Sequence, residues 1–173
     1  MAGGHRGTGS LRAYAARALP DLNRQDPSRQ WYRPAGALTA GAVAGLLSGT
    51  PSTLHALLTG RDPLAATRAA GNLVLPSEAR PAHLVLAGAA VHTVVSLGWG
   101  TVLSVALSRL PAPDTGRAAW WGALAGLGIA AFDLGVVGRR RPLIRDLPVL
   151  PQVADHLAFG AVTGAVVARC RRG

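Results

Sequence analysis

The stretch Pro81–Ser108, PAHLVLAGAAVHTVVSLGWGTVLSVALS, contains no Asp, Glu, Lys or Arg. At about 1.5 Å of rise per residue, a helix of this length exceeds the roughly 20 residues that cross a bilayer. A soluble helix of comparable length would need a charged face to meet water. The stretch therefore predicts a membrane-spanning helix.

Three further stretches carry almost no charge. Counting Asp, Glu, Lys and Arg, Pro34–Gly60 has none, Ala118–Gly138 has only Asp133, and Leu147–Ala168 has only Asp155. Apolar spans of such length are suited to lipid rather than to water. We therefore predict an all-α fold: a polytopic membrane helix bundle of four transmembrane helices plus one or two short interfacial helices.

The first stretch leaves two arrangements open, because Gly49–Pro51 combines a helix stop with a new helix start. It forms either one kinked helix or a short spanning helix followed by Ser52–Leu58 lying back against the bundle. A second start signal at Asp62-Pro63 predicts a short helix through Leu75, which Pro76 ends.

The last stretch is the weakest of the four. Pro148 and Pro151 are expected to delay its start, which leaves about 17 residues before Arg169, the lower limit for crossing a bilayer.

On this basis the chain of 173 residues divides into three parts. We predict a basic, partly disordered cytoplasmic tail over 1–33, a transmembrane domain over 34–169 and a basic tail over 170–173. Similar small-residue patterns also suggest a tandem repeat of helix pairs, 34–110 and 117–169, with chance similarity as the alternative.

The formal net charge of +10 comes from arginines that flank the apolar spans. This placement predicts contact with anionic lipid headgroups rather than with nucleic acid, and Arg139, Arg140 and Arg141 are the candidate headgroup ligands. The two tails and the loop Arg109–Arg117 hold more arginines than the opposite side, so both termini are expected in the cytoplasm. The predicted location is the bacterial inner membrane, with a homo-oligomer or a membrane protein as candidate partner.

Small residues recur four positions apart along each span, which places them on one helix face. Helices in lipid associate through close backbone approach at such residues. The predicted packing residues are Gly41, Gly45, Gly49, Gly88, Ser96, Gly100, Gly122, Gly126, Gly160 and Gly164.

Ionisable residues within the spans form a candidate intramembrane polar site, because such groups are costly in lipid. Three interpretations remain open: structural pairing between helices, proton or ion handling, and a His-ligated metal or haem site. The candidate residues are His55, His92, Asp133, Asp155 and His156.

The sequence contains no motif for nucleotide binding, zinc hydrolysis or a serine nucleophile, so no catalytic residue is assigned. Its single cysteine excludes an internal disulfide and a cysteine-cluster metal site. No cofactor and no resident metal are predicted.

Two segments, GTPSTLH at Gly49–His55 and PQVADHLAFG at Pro151–Gly160, resemble those of small four-helix integral membrane proteins of high-GC bacteria. The resemblance covers most of the chain after Trp31. It implies an integral inner-membrane protein and carries no assigned activity. The expected function is a structural or partner-binding membrane component, and a small transporter or proton-coupled protein is the alternative.

Overall fold

The computed structural model describes residues 34–110 and 114–172. The tail predicted for 1–33 lies outside the described residues. Within them the chain is helical, with no β-strand, and its helices in order are α1 Pro34–Ser48, α2 Thr50–Leu58, α3 Ala65–Gly71, α4 Pro81–Ser108, α5 Thr115–Phe132, α6 Pro142–Arg145 and α7 Val149–Cys170. Helix α5 continues through a π-helical turn, Asp133–Val137, and a 3-10 turn, Gly138–Arg140.

Three helical segments in the described part of the chain are long and apolar enough to cross a membrane. They are Pro81–Ser108 with 28 residues, Thr115–Arg140 with 26 and Val149–Cys170 with 22. The prediction of an all-helical chain with membrane-spanning helices is confirmed for these three.

The fourth predicted span is shorter than expected. Helix α1 has 15 residues and extends about 22 Å at the usual rise, against a hydrocarbon core of about 30 Å. It ends before Gly49, whose carbonyl accepts the first bond of α2 from Thr53 at 3.1 Å. Pro51, in the first turn of α2, has no N–H and cannot continue the hydrogen-bond ladder of α1. The crossing by α1 therefore remains a prediction.

Two predicted helix boundaries are wrong. Helix α7 begins at Val149 rather than after Pro151, because a proline in the first turn lacks only an N–H that would have had no intrahelical partner. Helix α3 ends at Gly71 rather than at Leu75. The residues after it form turns, which Asn72 closes by donating from its side chain to the carbonyl of Leu75 at 3.0 Å.

The most extensive helix contact joins α5 and α7. A Cβ atom added to Gly122 would overlap the carbonyl of Gly160, and one added to Gly126 would overlap the carbonyl of His156. A Cβ atom added to Gly164 would likewise overlap the carbonyl of Ala118. Each step of four residues forward on α5 matches a step of four backward on α7, which is the register of two antiparallel helices in backbone contact.

Helix α4 forms two contacts of the same kind. Its Gly100 faces the Cα atom of Gly41 in α1, and a Cβ atom at Gly41 would lie 2.8 Å from the carbonyl oxygen of Ser96. On another side, Gly88 of α4 lies against the carbonyl of Thr67 in α3. Gly49 differs from the other predicted packing residues, because a Cβ atom there would meet no atom within 4 Å.

The four longest helices meet in one apolar cluster. It consists of Ala44 from α1, Leu103 from α4, Ile129 from α5 and Phe159 from α7. Because α1 contributes a fully buried residue to this cluster, it is an integral part of the bundle.

The outside of the bundle carries larger apolar side chains than most of its interior. Leu46 is 85% exposed and Leu150 is 82% exposed, whereas Thr163 is the largest side chain that is completely buried among the described residues. Trp120 and Trp121, at the start of α5, are also exposed, where an interfacial aromatic belt is expected. In water this surface would be unfavourable, and in a bilayer it faces lipid chains.

We expect Gly126→Ala to destabilise the protein, because the added methyl group collides with the backbone of α7 at His156. Overpacking of this kind costs about 1–3 kcal/mol. Thermal unfolding in detergent, followed by loss of the monodisperse chromatographic peak, measures the effect.

Gly128→Ala is the matched control, since a Cβ atom at Gly128 on the same helix meets no atom within 4 Å. Equal melting temperatures for the two variants would contradict the backbone contact of α5 with α7.

Candidate intramembrane polar site

A carboxylate and an imidazole from two spanning helices meet near one end of the bundle. Asp133 begins the π-helical turn after α5, and His156 lies in the second turn of α7. The Nε2 atom of His156 is 3.2 Å from Oδ2 of Asp133, and the two side chains are 21% and 29% exposed. A side chain in a helix leans toward the N-terminus of that helix, so the ring of His156 reaches past its glycine contact toward Asp133.

The second ring nitrogen of His156 is also engaged. Its Nδ1 atom lies 2.7 Å from the backbone carbonyl oxygen of Gln152, one turn earlier on α7. A carbonyl can only accept, so Nδ1 carries a hydrogen and donates. A hydrogen bond between Nε2 and the carboxylate of Asp133 then needs a second proton, on one atom or the other.

Asp155, the neighbour of His156, binds a different helix. Successive helical residues point about 100° apart, and the Oδ1 atom of Asp155 accepts a hydrogen bond of 2.9 Å from the backbone N–H of Ser52. Ser52 lies in the first turn of α2, where N–H groups lack intrahelical partners and the helix dipole favours an anion. Asp155 therefore holds the start of α2 against α7.

His92 joins α4 to α1. Its Nε2 atom lies 2.8 Å from the backbone carbonyl oxygen of Gly45 and therefore donates to it. Gly45 also lies against Ser96 of α4, since a Cβ atom at Gly45 would meet the side chain of Ser96 at 2.8 Å. This hydrogen bond joins α4 to α1 next to the contact of Gly45 with Ser96.

The remaining candidate, His55, is half-buried on α2. Its backbone carbonyl accepts hydrogen bonds from the N–H and the hydroxyl of Thr59 at the end of that helix. The structure therefore places His92, Asp133, Asp155 and His156 in contacts between helices, and His55 outside those contacts.

The three candidate headgroup ligands have different surroundings. Arg139 and Arg140 are exposed on the 3-10 turn that ends the span. Arg141 is half-buried, and its guanidinium donates a hydrogen bond of 2.9 Å to the carbonyl of Leu73, after α3. Arg141 therefore connects two loops, whereas the other two side chains are free to meet headgroups.

Two carboxylates outside the spans serve local structure. Asp114 caps α5 by accepting from the N–H of Arg117 at 2.8 Å, which holds the pKa of Asp114 below its ordinary value. Arg68 pairs with Asp62 at the start of the α3 region and lowers the pKa of Asp62 in the same way.

Sequence reasoning missed three of these partners. Asp114 was recognisable as a cap residue directly before a helix. No sequence signal identifies the N–H of Ser52 or the carbonyl of Leu73 as partners, because both depend on which loops come together.

Residues 34–110 and 114–172 contain no group of three or more His, Cys, Asp and Glu side chains that could hold a metal ion. Comparisons of the chain with protein-family models, with curated proteins and with solved structures found no match. The site must therefore be interpreted from its own geometry.

We expect Asp155→Ala to loosen α2 from α7, because it leaves the N–H of Ser52 without its acceptor. An unsatisfied N–H costs about 1–3 kcal/mol. Limited proteolysis of the reconstituted protein at the loop Thr59–Pro63 measures the docking of α2, and cleavage should be faster in the variant.

Asp155→Asn is the matched control, since its amide oxygen still accepts from Ser52. If it is cleaved as fast as the alanine variant, the negative charge rather than the hydrogen bond holds α2. Cleavage at the wild-type rate in both variants would show that Asp155 does not anchor the helix.

Proposed function

We propose that the chain is a multi-pass inner-membrane protein with a structural or partner-binding role. One observation carries this proposal: the ionisable residues within the described spans that bond across helices do so in pairs that fix the bundle. His92 holds α1, Asp155 holds α2, and His156 holds the end of α5. Backbone contacts between the helices add to the same rigid arrangement.

A small transporter or proton-coupled protein is the second candidate. The contact of 3.2 Å between the ionisable side chains of Asp133 and His156 favours it, because ionisable pairs within membrane spans mark proton relays. A His-ligated metal or haem has less support. Both ring nitrogens of His156 and the Nε2 atom of His92 are already hydrogen-bonded, to different partners, so ligation would require these bonds to break.

Proton flux into vesicles tests the two functions. The purified protein is reconstituted into liposomes that enclose a pH-sensitive dye, and a potassium gradient with valinomycin supplies the driving force. The structural role predicts acidification no faster than in protein-free liposomes. Variants His92→Gln and Asp133→Asn should give the same slow rate, with changes in thermal stability only.

Flux above the protein-free level that Asp133→Asn abolishes, while the variant still elutes as a folded species, would overturn the structural role in favour of the transporter. Flux that both variants retain would indicate leakage caused by the protein and would leave Asp133 without a transport role.

We also propose that α1 is the fourth span and that both termini are cytoplasmic. Two observations support α1 as a span: Pro34–Ser48 contains no charged residue, and Ala44 of this helix is fully buried in the shared core. The arginine distribution gives the orientation. With an even number of crossings, the two ends of the transmembrane domain lie on the same side.

Cysteine labelling in intact cells tests this topology. The only cysteine, Cys170, is exposed at the end of α7, so a membrane-impermeant maleimide should react with it only after the cells are opened. A Cys170→Ser variant with Ser10→Cys should behave in the same way, and one with Ser77→Cys should react in intact cells.

Protection of Cys170 together with labelling of Ser10→Cys in intact cells would show three crossings and exclude α1 as a span. Labelling of both ends in intact cells would reverse the orientation.

A further inference from the structure

We propose that Asp133 and His156 form an intramembrane binding site for one exchangeable proton. The inference goes beyond a structural role, because a tie between helices needs only a permanent contact. A proton site must bind and release its ligand while the bundle stays folded. The ligand is the proton itself, supplied by water or by a protonated solute at the exposed edge of the pair.

The number of protons in the pair follows from its acceptors. The carbonyl of Gln152 requires a hydrogen on Nδ1 of His156, and the contact of 3.2 Å between Nε2 and Oδ2 of Asp133 requires another. An ordinary neutral imidazole beside an ionised carboxylate would carry one proton in total. Hydrogen bonds at both ring nitrogens therefore require one proton more than that, on Nε2 or on Oδ2.

Release of this proton is a simple acid–base step. The bond from hydrogen to Nε2, or to Oδ2, breaks, and its electron pair stays on that atom while the proton passes to water. The lone pair of Nε2 then faces a carboxylate, and the pair has a net charge of −1. Away from bulk water both changes are unfavourable.

The backbone at Asp133 distinguishes this pair from the other polar contacts. Exposure does not, because the side chains of Asp133 and His156 are 29% and 21% exposed and His92 is exposed as well. Asp133 is the first residue of the π-helical turn, in which the N–H of Gly138 donates to its carbonyl. Such turns interrupt the regular hydrogen-bond ladder and often occur at functional sites. Gly135, inside the turn, has open space at its Cβ position.

The neighbouring charges belong to the elements packed around α7. Asp155 is the neighbour of His156 on α7, and its Oδ1 atom accepts the hydrogen bond from the N–H of Ser52. Helix α4 carries His92, which is bonded to the carbonyl of Gly45. Helix α1 carries no titratable residue, α2 carries His55, and the turn after Asp133 carries Arg139 and Arg140, which are exposed.

Nuclear magnetic resonance of the full chain in lipid nanodiscs tests the site, with ¹⁵N-labelled histidine and ¹³C-labelled aspartate. The signals of His156 and Asp133 are assigned by their loss in His156→Gln and Asp133→Asn. We expect the imidazole and the carboxyl group together to carry one proton more at about pH 6 than at about pH 9. At about pH 9 we expect a singly protonated ring beside a carboxylate.

Asp133→Asn should lose the extra proton at a pH where the wild type retains it. A neutral imidazole has only one N–H and cannot donate both to Gln152 and to the new amide oxygen. Asp155→Asn is the matched control, because it removes a neighbouring carboxylate and leaves Asp133 in place. It should keep the extra proton at about pH 6.

A pair that keeps the extra proton from about pH 5 to about pH 9 would be a permanent tie and would overturn the proposal. The same titration in wild type and Asp133→Asn would also overturn it. Neither outcome depends on the flux assay, so the proton site can be disproved while the structural role is kept. A site that titrates without proton flux would be consistent with the proton site and with the structural role.

Discussion

Backbone contact between α5 and α7 is the constraint on which the rest of the bundle depends. At Gly122, Gly126, Gly160 and Gly164 no side chain separates the two helices, so their backbones are in direct contact there. In lipid, helices gain little from burying apolar surface against each other. Close packing of many backbone atoms supplies the attraction instead. A contact so close also fixes the register, because a shift along the axis would bring larger residues into the interface.

This register positions the polar pair. Gly126 lies against the carbonyl of His156, and Asp133 follows Gly126 by about two turns on the same face. The imidazole extends along α7 toward Asp133 and needs no rearrangement to reach it. The glycine contacts that hold α5 and α7 together therefore also determine that His156 meets Asp133, whether this pair is only a structural contact or also a proton site.

Helices α1 and α4 repeat this design, with Gly41 against Gly100 and a histidine hydrogen bond beside the contact. The connections differ, however. Along the chain, α2 and α3 connect α1 to α4. The π-helical turn, the 3-10 turn and the short α6 connect α5 to α7. The tandem repeat of 34–110 and 117–169 remains a prediction, because helix pairs with many glycines converge on this packing without common ancestry.

The sequence alone determined the helical class, the three long spans and the small-residue faces, because the charge content and the spacing of glycines act locally along one helix. It also identified the titratable residues within the spans. It marked the break at Gly49–Pro51 but left open whether the first stretch is one kinked helix or two, and it placed the start of α7 too late. Both depend on how Pro51 and Pro151 fit the first turn of a helix. Only the tertiary structure determined which residues form hydrogen bonds between helices. The bond from Ser52 to Asp155 and that from His92 to Gly45 join residues far apart in the chain, and such pairs exist only once the interhelical register is set by close packing.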